Sequence, residues 1–140
     1  MEHTLPLEVL IGAHLRGNEY GWELSSFLPA LSKAEMLGYA CLGGQFQFRL
    51  ENSTCEMYWL NADSKGRQSG EQWDDYCRRS CIEVRQSFER LVSETDFARE
   101  WPQLPQPATQ CMERLVFVAY FIDENEWFGL QQQPFEDKIP

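Results

Sequence analysis

Gln45-Phe46-Gln47-Phe48-Arg49-Leu50-Glu51-Asn52-Ser53-Thr54-Cys55-Glu56-Met57-Tyr58-Trp59-Leu60 reads as a β-hairpin, and the other elements have to be arranged around it. Phe46, Phe48 and Leu50 alternate with Gln45, Gln47 and Arg49, and Glu51-Asn52-Ser53-Thr54 supplies turn chemistry before the second run. A four-residue loop pairs position 50 with 55, 48 with 57 and 46 with 59. That register collects Phe46, Phe48, Leu50, Cys55, Met57 and Trp59 on one face. On the other it sets Arg49 opposite Glu56 and Gln47 opposite Tyr58. The polar face, with Gln45, Gln47, Arg49, Glu56 and Tyr58, is expected to be open to solvent or to a ligand.

The run Leu115-Val116-Phe117-Val118-Ala119-Tyr120-Phe121-Ile122 is rich in β-branched and aromatic residues, the pattern of a strand covered on both faces. It is the natural central strand beside the hairpin. The longest helix is expected from about 70 to 92, opened by Ser69 and Gln72 at capping-box spacing. Its buried stripe is Trp73, Cys77, Cys81, Val84, Phe88 and Leu91; Asp74 with Arg78 and Asp75 with Arg79 are favourable pairs four apart. A second helix starts at Ser25 or Ser26, keeps Pro29 in its first turn and ends at Gly38. Leu7, Leu10, Ile11, His14 and Leu15 fit one face of a further helix closed by Gly17; the alternation of Val9, Ile11, Ala13 and Leu15 fits a strand instead.

These elements define an α+β fold: a small antiparallel sheet, hairpin 45–60 plus strand 115–122, packed against two to four helices. One domain over 1–140 accounts for the length, with a Pro-rich connection near 102–107 and a loosely held tail around Gln131-Gln132-Gln133 and Pro134. Hydrophobic residues make up 43% of the chain, enough for a full core. The start Met1-Glu2-His3-Thr4-Leu5-Pro6 lacks the features of a secretory signal, and the longest apolar run, 115–122, is too short to cross a bilayer. Five cysteines without a framework pattern read as cytosolic thiols. The expected location is therefore the cytoplasm.

The net charge of −10 is uneven: residues 51–140 carry eight of the ten excess negative charges. Such a field repels phosphate backbones and anionic lipid surfaces and attracts basic proteins. Neither nucleic acid nor membrane is expected as a partner. No cofactor or metal is expected either, because Cys77 and Cys81, four apart, have no second pair to complete a tetrahedral set. A catalytic reading has little to draw on beyond Cys41 with His14 as nucleophile and base, beside the polar hairpin face.

Two acidic groups stand out as candidate partner-binding residues. Glu71, Asp74 and Asp75 open the long helix, where acids also suit the helix dipole. Asp123, Glu124 and Glu126 follow the apolar strand and are joined by Trp127 and Phe128, which puts charge and aromatic anchors together.

Leu37-Gly38-Tyr39-Ala40-Cys41-Leu42-Gly43-Gly44-Gln45-Phe46-Gln47-Phe48, with Cys55-Glu56-Met57-Tyr58-Trp59-Leu60 and Gly70-Glu71-Gln72-Trp73, resembles small acidic bacterial cytosolic proteins, some of them of the immunity type that neutralises secreted toxins. The resemblance spans about residues 37–82 and is one of size, charge and texture. It implies a non-catalytic protein whose acidic and aromatic surface occludes a basic toxin domain. The readings set beside it are a small enzyme or ligand-binding domain using Cys41 and His14, and a homodimer or larger homo-oligomer that buries its aromatics against itself.

Overall fold

The computed structural model describes residues 5–102 and 111–132. The Pro-rich connection lies outside the described residues from 103 onward, as does the tail from 133.

Leu115–Ile122 forms a strand at the middle of a five-stranded antiparallel sheet, as its apolar run requires. In chain order the strands are β1 (Ala13–Arg16), β2 (Glu19–Trp22), β3 (Ala40–Arg49), β4 (Thr54–Asp63) and β5 (Leu115–Ile122). Their order across the sheet is β1-β2-β5-β3-β4. The helices are α1 (Leu24–Met36), α2 (Trp73–Glu94), α3 (Phe97–Glu100), α4 (Cys111–Arg114) and α5 (Glu124–Gln132). The fold is α+β. None of the described helices is long and apolar enough to cross a membrane.

The sheet has two strands more than the sequence pattern suggested. No helix forms over 7–15: residues 7–12 turn, and β1 begins at Ala13. Leu7, Ile11 and Leu15, the intended core face, are 81%, 72% and 58% exposed, while Leu5 and Val9 are buried. The overriding feature is Gly17-Asn18, a two-residue turn with Gly17 at φ +64°, which suits a type II′ hairpin joining Arg16 to Glu19. Trp22 at the end of that hairpin is fully buried and donates its indole N–H to the Val9 carbonyl at 2.8 Å. This anchors the N-terminal segment.

The β3–β4 hairpin forms with a register two residues from the expected one: Phe48 faces Cys55 and Phe46 faces Met57. A shift of two leaves both on the same face, so the apolar side survives. Past Met57 the ladder jumps to Gln45 opposite Asn61, and Tyr58, Trp59 and Leu60 loop out as a bulge. Trp59 therefore leaves the apolar face; it is 53% exposed, and its indole N–H donates to Glu100.

One side of the sheet carries the core. Phe27 of α1, Phe46 of β3, Phe88 of α2 and Phe117 of β5 meet with ring centroids 4.6–5.4 Å apart. Helix α1 begins at Leu24, so Pro29 falls in its second turn rather than its first. Its end is a Schellman motif: Gly38 at φ +88° donates to Glu35, and Tyr39 donates to Ala34. Helix α2 buries Cys77, Cys81, Val84, Phe88 and Leu91 as expected, but starts at Trp73 with Gln72 as an N-cap lacking a side-chain bond. The Ser69–Gln72 box is not formed.

The expected open polar face is partly closed. Gln47 and Arg49 are only 2% and 7% exposed, because Arg49 reaches across β5 to donate to the backbone carbonyls of His14 and Glu19. Arg16 reaches the other way, from β1 to the Leu50 and Ser53 carbonyls of the β3–β4 turn. Two arginines thus tie the first hairpin over the second.

Candidate functional site

Asp123 ends β5 and begins α5 through a reciprocal capping box: its carboxylate accepts from the Glu126 N–H at 2.8 Å, and the Glu126 carboxylate accepts from the Asp123 N–H at 2.9 Å. The segment expected to present acids and aromatics at a strand exit is therefore a helix. It continues through Gln131 and Gln132, which belong to α5 rather than to a loose tail. None of its residues is fully buried, and Phe128 and Leu130 are 49% and 42% exposed.

The helix start turns Trp127 towards the beginning of α2, where Trp73 lies with its centroid 6.4 Å away. Arg67 sits between them, its guanidinium carbon 4.6 Å from the Trp127 centroid and 5.2 Å from that of Trp73. The same arginine pairs with Glu124 at 3.5 Å and donates from Nε to the Glu71 carbonyl. Trp73 in turn donates its indole N–H to the Gly38 carbonyl at 2.8 Å, which brings in the end of α1. The two acidic groups named from the sequence, Glu71 to Asp75 and Asp123 to Glu126, are thereby brought together at Arg67.

Each acid has a different duty. Glu71 accepts both Nε and Nη2 of Arg79, at 2.7 and 2.9 Å. Those bonds, followed by the Gln68 N–H, hold its carboxyl down at about 2. Arg79 is shifted upward by the same pairing and also contacts Glu83 and the Lys65 and Gly66 carbonyls, so Glu71 serves to pin the 64–72 segment to α2. Asp74 and Asp75 are exposed in the first turn of α2. The expected pairs four apart are replaced by Asp75 with Arg78 at 3.5 Å and by Arg79 with Glu71 and Glu83. Asp123 and Glu126 cap α5 and, after burial, push the Tyr39 hydroxyl upward. Burial first, then Asp74, Glu35 and Glu124, push the Cys77 thiol up to about 12.

Met36 and Leu37, 76% and 43% exposed, lie at the end of α1 beside the Gly38 carbonyl that Trp73 holds. Around this junction Trp73 and Trp127 flank Arg67, Phe128 packs on Trp127, and Glu35, Asp74 and Glu124 all act on Cys77. Arg67, Met36, Leu37 and Tyr39 were not singled out from the sequence. Arg67 lies in an aperiodic segment without a local signal, and Met36 and Leu37 look like the continuation of an apolar helix until Gly38 ends it.

The alternative pair is not assembled. Cys41 is fully buried in the core, and its thiol is pushed well up by burial and then by Cys81, so a reactive thiolate is disfavoured. His14 stands in β1, three strand spacings or roughly 14 Å across the sheet. Its ring contacts Glu23 at 2.6 Å. Among the described residues no three histidine, cysteine or acidic side chains gather in metal-binding geometry.

Compared with known proteins, the chain matches no family model, no curated protein and no solved structure.

Proposed function

We propose that this chain is a non-catalytic binding protein of the immunity type, which holds a basic protein such as a toxin domain against the α1–α2–α5 surface in the cytoplasm. The observation that carries this reading is Arg67 held between Trp73 and Trp127 and paired with Glu124, with Phe128 packed against Trp127. Aromatic anchors there supply residence time, and exposed acids accelerate the encounter with a cation-rich partner. Arg67 has a positioning role: held between two indoles, it orders their planes before any partner arrives and reduces the entropy lost on binding. The five cysteines are all unpaired thiols, which suits a reducing compartment.

The test is association with the product of the adjacent reading frame, measured at low and high salt. Binding should weaken as salt rises, and Trp127→Ala with Phe128→Ala should raise the dissociation constant by about 100-fold or more through the off-rate. Neutralising Asp74 and Asp75 should slow association chiefly. Salt-independent binding, or binding indifferent to the two aromatic changes, would sink the proposal.

A further inference from the structure

We infer a separate binding site on the face of the sheet away from the phenylalanine cluster: a socket for an alkylammonium or guanidinium cation, built over Gly43 between Tyr120 and Asp63. The ladder puts these three residues in one row, with Gly43 opposite Tyr120 on β5 and opposite Asp63 on β4. Alternation places the row on the side opposite Ala119, Gly44 and Ala62, which face the core. Tyr120 and Asp63 are two strand spacings apart, about 10 Å, and the residue between them has no side chain. A Cβ at 43 would meet an Asp63 carboxylate oxygen at 2.5 Å and the Ala62 carbonyl and Asp63 Cα at 2.7 Å, at a φ of +128° that side chains avoid, so the close approach of β4 requires glycine here.

An irregularity in each of the two ladders of β3 lies beside this row. Leu42 bulges out of the β3–β5 ladder just before Gly43, and Tyr58 to Leu60 bulge out of the β3–β4 ladder beside it. The row borders a hollow of about 370 Å³ lined by Gly43, Gln45, Tyr58, Asn61, Asp63 and Tyr120 among others. That volume suits a small ligand or a single long side chain.

The chemistry of the walls selects a cation. Among the described residues no lysine, arginine or histidine lines the hollow. Among the described residues no hydrogen bond or ion pair engages the Asp63 carboxylate; the nearby Lys65 is drawn towards α2, where its backbone N–H donates to Glu83. Tyr58 and Tyr120 are 69% and 43% exposed, offering two aromatic rings on which a cation can rest. The Tyr120 hydroxyl donates to Glu19, so a second carboxylate stands behind that wall. Gln45 and Asn61 add amide oxygens for the N–H groups of a guanidinium.

A free small cation and an arginine or lysine side chain present the same chemistry, and an NMR titration of the full chain separates them. Butylguanidinium should shift the Tyr58, Tyr120 and Gly43 resonances saturably, with neutral butylurea leaving them in place. A blocked Gly-Arg-Gly tripeptide that binds at least as well marks a socket for a protein side chain; exclusion of the tripeptide marks a free cation. Asp63→Asn should weaken butylguanidinium about fivefold and Tyr58→Ala a few-fold, both with remote core resonances unchanged. Trp127→Ala should not alter it, which keeps this site distinct from the α1–α2–α5 surface. The inference falls if butylurea shifts the same resonances equally, if Asp63→Asn binds as wild type, or if no saturable shift occurs.

Discussion

The two faces of the sheet are held by different physics. On one, Phe27, Phe46, Phe88 and Phe117 come from four elements, and each ring touches at least two of the others. On the other, Gln47 and Arg49 are buried beside Val116 and Val118, and the hydrogen bonds of Arg49 join the two hairpins. Apolar contact is non-directional, so neighbours share a loss partly by shifting; a buried guanidinium serves fixed acceptors and nothing replaces it. Gln47 shows the stricter demand. Its Oε1 accepts from Arg49 Nε at 2.8 Å, which fixes the amide, and its buried Nε2 then finds no acceptor among the described residues. A face that tolerates such a donor depends on Arg49 keeping its place.

Four changes sharpen that contrast. Phe117→Ala removes the ring common to three aromatic pairs in the cluster and should cost about 3–5 kcal/mol, read from denaturant midpoints at constant slope. Arg49→Ala strips donors from the Gln47 side chain and the His14 and Glu19 carbonyls and should cost about 2–3 kcal/mol. Amide exchange should then rise first in β1 and β2; uniform acceleration through the phenylalanine cluster would erase the distinction between the faces. Gly17→Ala meets no atom but must adopt φ +64°, a cost of about 1–2 kcal/mol confined to the first hairpin.

The smallest effect at neutral pH belongs to Glu71→Gln, and it is read from pH dependence. Glu71 titrates at about 2 in the folded chain against an ordinary 4.5. Its pairing with Arg79 therefore contributes fully above pH 4.5 and is lost as the pH falls towards 2. Wild type should lose stability more steeply than the variant across that window. Parallel curves would show that the Arg79 pairing adds nothing.

Much of this architecture was legible in the chain, and the exceptions share a cause. Strand β5 runs over the residues its apolar run marked, and α2 carries its expected stripe, because each pattern is repeated over many residues in agreement. Leu7 to Leu15 matched a helical face by spacing alone over nine residues, and Gly17-Asn18 with Trp22 outweighed it. The hairpin register was misplaced by two because period-two alternation is blind to such a shift. In the candidate surface, the acids and Trp127 were visible locally, whereas Arg67 was not, since its role exists only where segments 64–72 and 123–128 meet.

By itself the sequence determined the α+β class, the central strand, the long helix and a surplus of acid after residue 50. These follow from side-chain periodicity and charge, properties each segment carries wherever it is placed. Tertiary structure alone decided that two acidic stretches become one surface around Arg67, that Arg49 is buried, and that Tyr120, Gly43 and Asp63 share a row. Contacts across strands and between helix ends depend on register and bulges, which are settled by packing among distant segments.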